Sequence, residues 1–139
     1  EGLLSAAIEV GSSGMFPAAL SSDGFDFDAM SWLLHHASPA PRLLARTLVD
    51  DIPIGSVRRS YPVMRTVLAV AREAPATSRP SCLDDPRLAA AAAAAMVSGS
   101  ALWGSFLRGL TGIRGDVAPA MAGLSRQLLG LRPAVGPGD

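Results

Sequence analysis

Apolar residues recur along the chain at spacings of three and four positions, a pattern typical of helices that bury one face. Leu, Ala and Met fill most of these positions, whereas β-branched and aromatic residues never alternate over more than a few positions. Strand signals are therefore nearly absent. The pattern predicts an all-α fold in which six helices, joined by short links, make a bundle.

Start and stop signals set the bounds of the predicted helices. Proline and aspartate begin most of them, and glycine or a proline-containing turn ends them. The predicted helices cover residues 2–11, Asp26 or Asp28 to His36, residues 41–49, 62–73 and 86–110, and a last stretch capped by Asp116 that ends near Leu131. Residues 75–83 are rich in Pro, Ser and Thr, which predicts a loop open to disorder or nicking.

The domain organisation follows from the length and the two ends. A chain of 139 residues fits one domain. We assign residues 1–132 to it and residues 133–139, rich in Pro and Gly, to a flexible tail. The chain begins at Glu1 with neither an initiator Met nor a basic leader, so we expect it to be part of a longer protein rather than to carry a secretory signal.

The fifth helix is the longest, and its apolar side chains fall into two rows. Met96, Trp103, Leu107 and Leu110 form one row, and Leu102 and Phe106 form the other. The run Ala89 to Ala95 lets another backbone approach closely, so we expect a buried helix that packs on two sides. The length also fits a membrane span, but alanine and serine insert poorly, and we predict a protein that contacts no membrane.

Charge and motifs exclude several function classes. The net charge is zero, with 12 Lys plus Arg against 12 Asp plus Glu, and the basic residues are scattered singly. No basic surface that would collect nucleic acid is therefore expected from this chain. Neither a nucleophile elbow, nor an H-E-x-x-H or C-x-x-C motif, nor a phosphate loop occurs, which predicts no enzyme activity and no cofactor.

The strongest metal-ligand candidates are adjacent histidines, His35 and His36. Successive helical side chains diverge by about 100°, so these two imidazoles share an ion poorly. Cys82 offers a third donor, but no spacing supplies the remaining ligands. The string DGFDFD at 23–28 lacks the glycine position and the glutamate of a calcium loop, and we interpret it as a turn and a helix cap. We therefore predict no metal.

The arrangement of the last helices resembles the C-terminal domain of TetR-family transcriptional repressors. The resemblance lies in RRSYPVMRTVLAVAREA at 58–74, DDPRLAAAAAAAMVSGSALWGSFLRGLTGI at 84–113, and DVAPAMAGLSRQLLGL at 116–131. HHASPAPRLLARTLVDD at 35–51 is also similar to the middle helices of that family. The likeness covers about residues 35–131. Members of the family also carry an N-terminal helix-turn-helix that reads the major groove, and this chain has no such segment.

The resemblance implies a homodimer, a small apolar effector and a cytoplasmic location. The last two helices of each subunit would form a four-helix interface, and the effector would bind in a cavity among the other helices. DNA would be bound only through the missing N-terminal domain. Candidate interface residues, chosen from their helical positions, are Ala91, Ala95, Leu102, Val117, Met121, Leu124 and Leu128. Candidate effector-binding residues, chosen in the same way, are Trp32, His36, Tyr61, Met64, Trp103 and Phe106.

Other interpretations stay open. Aromatic and Met residues at helical spacing commonly fill a core, so the chain also fits a purely structural dimerisation module without a ligand. A small membrane-associated protein built on the fifth helix is the second alternative, and it predicts aggregation without detergent.

Overall fold

The computed structural model of the chain describes residues 20–21, 24–50 and 62–132. Within this part, five helices dominate, which confirms the predicted all-α character. They are α1 (Phe27–His36), α2 (Ala40–Val49), α3 (Pro62–Glu73), α4 (Pro86–Thr111) and α5 (Ala118–Leu129). The predicted helix at 2–11 lies outside the described residues, so the count of six helices stays a prediction.

A short hairpin that the sequence did not predict precedes α1. Leu20–Ser21 and Gly24–Phe25 form an antiparallel pair, with Leu20 opposite Phe25. Gly24 has a φ of 120°, a conformation that side chains with a Cβ rarely adopt. The Phe25 ring meets the Phe27 ring edge-on, at 4.8 Å between centroids, so the hairpin is joined to the first turn of α1.

The predicted caps set the helix ends in the structure. Asp26 caps α1 by accepting from the Ala29 N–H at 3.0 Å, and Asp85 caps α4 by accepting from the Arg87 N–H at 2.8 Å. Gly112 and Gly130, both left-handed, end α4 and α5. The predicted bounds of these helices are therefore correct to within one or two residues.

Helix α4 lies at the centre of the fold and contacts each of the other four helices. Its buried face is made of small residues, Ala89, Ala90, Ala93 and Val97. Alanines on α5 and the β-branched face of α3 pack against it, so the helix axes can approach closely. The alanine run thus serves contacts within the chain along one face, while Ala91 and Ala95 point away from the core and are exposed.

The buried stripe of α3 includes two of the four predicted residues, Val67 and Ala71, and it differs from the prediction at Val63, Met64 and Leu68. We expected Met64, Val67, Leu68 and Ala71 to form the buried stripe. In the structure, Val63, Val67 and Ala71 are buried, and Met64 and Leu68 are half-buried at the edge. The compact side chains face α4 because its alanine surface leaves no depth for a long side chain, and the longer ones fill the flank.

The second half of α4 does not pack on two sides within one chain, contrary to our expectation. Trp103, Phe106 and Leu110 are 59%, 60% and 70% exposed. After Gly112 the chain runs back beside α4, where Arg108 Nη1 donates to the Gly115 carbonyl at 3.1 Å, and α5 begins only at Ala118. The end of α4 therefore lies beyond the part of the core that α5 covers.

Candidate functional site

An apolar groove runs between the outer side of α4 and the first turn of α5. Its volume is about 530 Å³, and it is open on one side. Seven of its lining residues lie on α4, and a methionine of α5 forms the opposite wall. The lining residues are Ala95, Met96, Gly99, Ser100, Trp103, Phe106, Leu107 and Met121.

Small residues make the floor of this groove, and large ones make its walls. Ala95 and Gly99 are one helical turn apart, so the surface of α4 is low at this level. A Cβ at Gly99 would meet no heavy atom within 4 Å. Trp103 lies a further turn along the same side, which places an indole ring beside this low surface. The residue spacing alone therefore produces a depression bordered by aromatic rings.

The polar side-chain groups of the groove are the Ser100 hydroxyl and the Trp103 indole N–H, and the hydroxyl contacts a histidine of α1. His35 Nε2 lies 2.8 Å from Ser100 Oγ, and His35 Nδ1 lies 2.7 Å from the Ser31 carbonyl oxygen. Since that carbonyl only accepts, Nδ1 carries a proton and donates. In the neutral ring Nε2 then accepts from Ser100, although the same hydroxyl also lies 2.9 Å from the Val97 carbonyl. The Ser100 proton thus has two competing acceptors.

A second, interior cavity lies among α1, α3 and α4. Its volume is about 40 Å³, which accommodates a water-sized group rather than a ligand of the usual cleft size. Three serines line it: Ser31 Oγ donates to the Ala118 carbonyl at 2.7 Å, Ser125 Oγ donates to the Met121 carbonyl at 2.8 Å, and Ser98 is half-buried. The interior of the described residues is thus nearly filled.

The six candidate effector-binding residues do not line one common cavity in the described part of the chain. Trp103 and Phe106 line the α4–α5 groove, and Met64 lines the small interior cavity. Trp32 is 52% exposed on α1, where its ring lies 5.3 Å from that of His36. Tyr61 lies outside the described residues. Only the Trp103–Phe106 pair is brought together in a space of ligand size.

The seven candidate interface residues are all accessible to some extent. Ala91, Ala95 and Leu124 are exposed, and Leu102, Val117, Met121 and Leu128 are half-buried. On α4 the outward side continues to Leu88 at one end and to Leu110 at the other, both exposed. An apolar surface therefore extends along α4 and onto the flank of α5. We call it the α4–α5 face.

Polar contacts join α1 to α4, to α5 and to the linker between them. Ser31 and His35 supply the two contacts given above, and His36 Nε2 lies 3.1 Å from Asp116 Oδ1. Arg126 pairs with Asp28 near the other end of α1, and its guanidinium lies 5.9 Å from the centroid of the Phe27 ring. These contacts fix α1 along the side of the α4–α5 pair, next to the groove.

In the part of the chain that the structure describes, the resolved pKa shifts belong to groups at the N-terminal ends of α4 and α5. The Ala118 N–H bonded to Asp116, and then the His36 side chain, hold the pKa of the Asp116 carboxyl below its ordinary value despite some desolvation. The Arg87 guanidinium and N–H lower the pKa of Asp85 to about 2. Asp85 caps α4 and Asp116 accepts from the first N–H of α5, so these shifts are explained by structure and do not indicate a catalytic acid or base.

One buried side chain with a large structural role was missed by the sequence argument. Arg79 lies in the loop 75–83, where we expected disorder, and it is only 9% exposed. Its guanidinium donates to four backbone carbonyls, those of Ala71, Ala74, Leu83 and Asp84, at 2.8 to 3.1 Å. The one available signal was a single arginine between two prolines, which does not indicate burial.

Among the described residues, no group of three or more His, Cys, Asp or Glu side chains could hold a metal ion. Helix α4 is long and apolar enough to cross a membrane by length and composition, a test that the core helix of a soluble protein can also pass.

Comparisons of the chain with protein-family models, with curated proteins and with solved structures found no significant match.

Proposed function

We propose that this chain is the dimerisation and effector-binding domain of a TetR-like transcriptional regulator. The α4–α5 face would pair with the same face of a second copy, and a small apolar effector bound to the domain would change the spacing of DNA-binding heads attached N-terminally. In this proposal DNA is bound only by that further domain, and the protein is cytoplasmic.

The observation that carries the proposal is the exposed apolar α4–α5 face. Isolated exposed apolar side chains are ordinary, but a continuous patch that includes Trp103, Phe106 and Leu110 indicates an interaction surface. Aromatic residues of this kind dominate the energetics of protein interfaces. Two antiparallel helices with one shared apolar face also have the shape from which symmetric four-helix interfaces are built.

Sedimentation velocity and equilibrium of the purified chain test the dimer. We expect a monomer–dimer equilibrium in the absence of detergent. The Trp103→Gln variant should weaken it at least about tenfold, since interface aromatics are commonly hot spots. Trp32→Gln is the matched control, because Trp32 is a similarly exposed indole on α1 that does not line the groove. A monomer at all concentrations would refute the proposal, and aggregation relieved only by detergent would favour the membrane-associated alternative.

The regulator assignment has its own test, independent of the dimer. The codons preceding Glu1 in the parent gene should encode, in frame, a segment of three short helices whose last helix is basic. A chain of that full length should bind a palindromic DNA site whose half-sites lie about one helical turn apart. An upstream segment without such helices would leave a dimerisation domain of another kind of protein.

A purely structural dimerisation module is the second candidate, and the small interior cavity favours it. A cavity of about 40 Å³ gives no room for an effector among α1, α3 and α4. This candidate predicts that no apolar compound raises the melting temperature of the dimer, whereas an effector-binding domain is stabilised by its ligand. Thermal melts with a panel of neutral apolar compounds separate the two.

A further inference from the structure

We propose that the effector site is the α4–α5 groove, that its ligand is a neutral aromatic compound with one hydrogen-bonding group, such as a phenol, and that the second subunit covers the bound ligand. This inference rests on the proposed dimer, because the cover is the partner's α4–α5 face. It places the ligand at the subunit interface rather than in the interior of the domain.

The size and lining of the groove set the class of ligand. A volume of about 530 Å³ lies within the usual range of small-molecule sites, whereas the interior cavity is more than tenfold smaller. The walls carry an indole, a phenyl ring and two thioethers, which suit stacking and sulfur–aromatic contacts with a flat ring. None of the lining residues is charged, so a carboxylate or an ammonium ligand would lose hydration without gaining a partner.

The Ser100–His35 pair supplies one place for a hydrogen bond. Ser100 Oγ lines the groove and is held from behind by His35 Nε2 at 2.8 Å. Because the hydroxyl proton can turn to His35 or to the Val97 carbonyl, an oxygen lone pair of Ser100 stays available to a donor in the groove. A ligand hydroxyl is such a donor. A ligand oriented by Ser100, beside the indole N–H of Trp103, can still place its ring on the apolar walls.

The groove needs a cover to hold a ligand well. Trp103, Phe106 and Leu107 are 59%, 60% and 47% exposed, so a compound on them would keep much of its own surface in water. Ligand sites bury most of the ligand surface. The groove belongs to the α4–α5 face, and a second copy seated on that face would close its open side. Ligand binding and dimerisation should therefore strengthen each other.

Two probes that differ by one hydroxyl test the site, namely 2-naphthol and naphthalene. Calorimetric titration of the dimer should give saturable binding of both. Ser100→Ala should weaken the binding of 2-naphthol by about fivefold, because one hydrogen bond is lost, and should leave the affinity for naphthalene unchanged. Equal effects on the binding of both probes, or no effect on either, would overturn the assignment of Ser100 as the group that hydrogen-bonds the ligand.

Filling the groove provides a second test that does not depend on Ser100. In Gly99→Leu the new side chain starts in open space, because its Cβ meets no atom within 4 Å, and helix propensity favours leucine over glycine. The variant should fold and lose binding of both probes by at least about tenfold. Gly104→Leu is the matched control on the same helix, since its Cβ also meets no atom within 4 Å and Gly104 does not line the groove. Unchanged binding in Gly99→Leu would place the ligand elsewhere and refute the inference.

Sedimentation with and without 2-naphthol separates this inference from the proposed function. Saturating 2-naphthol should tighten the dimer by at least about fivefold, as linkage requires for a ligand that both subunits contact. A dimer that forms normally but neither binds the probes nor responds to them would overturn the inference and leave the dimer standing. A chain that stays monomeric with and without the probe would overturn both.

Discussion

Arg79 shows how one side chain can organise a loop and two helix ends. Its guanidinium satisfies the carbonyls of Ala71 and Ala74 in and just after the last turn of α3, and those of Leu83 and Asp84 just before α4. The bonds to Ala71 and Leu83 are buried and the other two are partly buried, and an unsatisfied buried acceptor costs free energy. The planar fork of arginine fits several acceptors at once, which a lysine ammonium does not.

We expect Arg79→Ala to lower the free energy of unfolding by about 2–4 kcal/mol, because several acceptors lose their donor together. Arg79→Lys should recover only part of this loss. Urea denaturation followed by circular dichroism measures both variants. Arg72→Ala, an exposed arginine of α3, is the control and should change stability by less than about 0.5 kcal/mol. Similar losses at both positions would contradict the role given to Arg79.

The Asp85 cap makes the stability of the folded chain depend on pH, and the direction of the pKa shift fixes the sign of that dependence. Its pKa is lowered from 3.8 to about 2 in the folded chain, so the unfolded state binds more protons between these values. The stabilisation is therefore present above pH 3.8 and is lost as the pH falls towards 2. We expect Asp85→Asn to melt below the parent at pH 6 and to converge with it near pH 2. Asp84→Asn, at the neighbouring aspartate whose side chain does not cap α4, is the control variant.

At the scale of the helices, two buried serines allow a hydrogen bond between two helices to be compared with one inside a single helix. Ser31 of α1 donates to the Ala118 carbonyl at the start of α5, whereas Ser125 donates to the Met121 carbonyl of its own helix. Ser31→Ala should cost about 1 kcal/mol, since it removes a contact between two helices. Ser125→Ala should be within about 0.5 kcal/mol of the parent, because a bond to the preceding turn adds little and alanine favours the helix. Equal losses in urea denaturation would show that α1 and α5 are not joined through Ser31.

The two left-handed glycines that end α4 and α5 form another matched pair. Gly112 and Gly130 have φ values of 72° and 78°, so an alanine at either is strained by roughly 1 kcal/mol. At Gly130 the new Cβ would also lie 2.8 Å from Arg79 Cγ, whereas at Gly112 it would meet nothing within 4 Å. Gly130→Ala should therefore destabilise the chain clearly more than Gly112→Ala. The difference between their unfolding free energies measures how tightly α5 packs on the loop.

Helix bounds could be predicted from the sequence because caps and breakers act locally. Asp26, Asp85 and Pro86 need only their own neighbours to begin a helix. The register of α3 could not be predicted in the same way, since Val63 and Met64 are both apolar and only the alanine surface of α4 decides between them. The burial of Arg79 also depends on contacts distant in the chain, which no local pattern encodes.

For the whole molecule, the exposed α4–α5 face should make stability depend on concentration. Association of the folded form stabilises it by mass action, so the melting temperature should rise as protein concentration increases. The Phe106→Gln variant should flatten this dependence, because Phe106 is 60% exposed and its removal changes the face rather than the core. Melts over a hundredfold range of concentration test this, and a melting temperature of the parent that does not change with concentration would contradict a dimer.

The candidate site could be predicted only in part. Trp103 and Phe106 were chosen from their helical positions, and these two do meet in the groove. Their separation from Met64 and Trp32 could not be foreseen, because it depends on which side of α4 each neighbouring helix occupies. Ser100 and His35 were not linked by the sequence either, since they are 65 positions apart and belong to different helices.

The acceptors of Arg79 are all main-chain oxygens, and this has a consequence for mutational tolerance. A backbone oxygen persists whatever side chain occupies its residue, so exposed Asp84 should accept many substitutions without loss of its bond to Arg79. The dependence is one-directional, since replacing Arg79 removes the donor from every acceptor at once. In a saturation mutagenesis screen, position 79 should therefore appear as an intolerant position between the permissive, exposed positions 75–78 and 80–82. Gly130 should be the distant position whose tolerance changes with it.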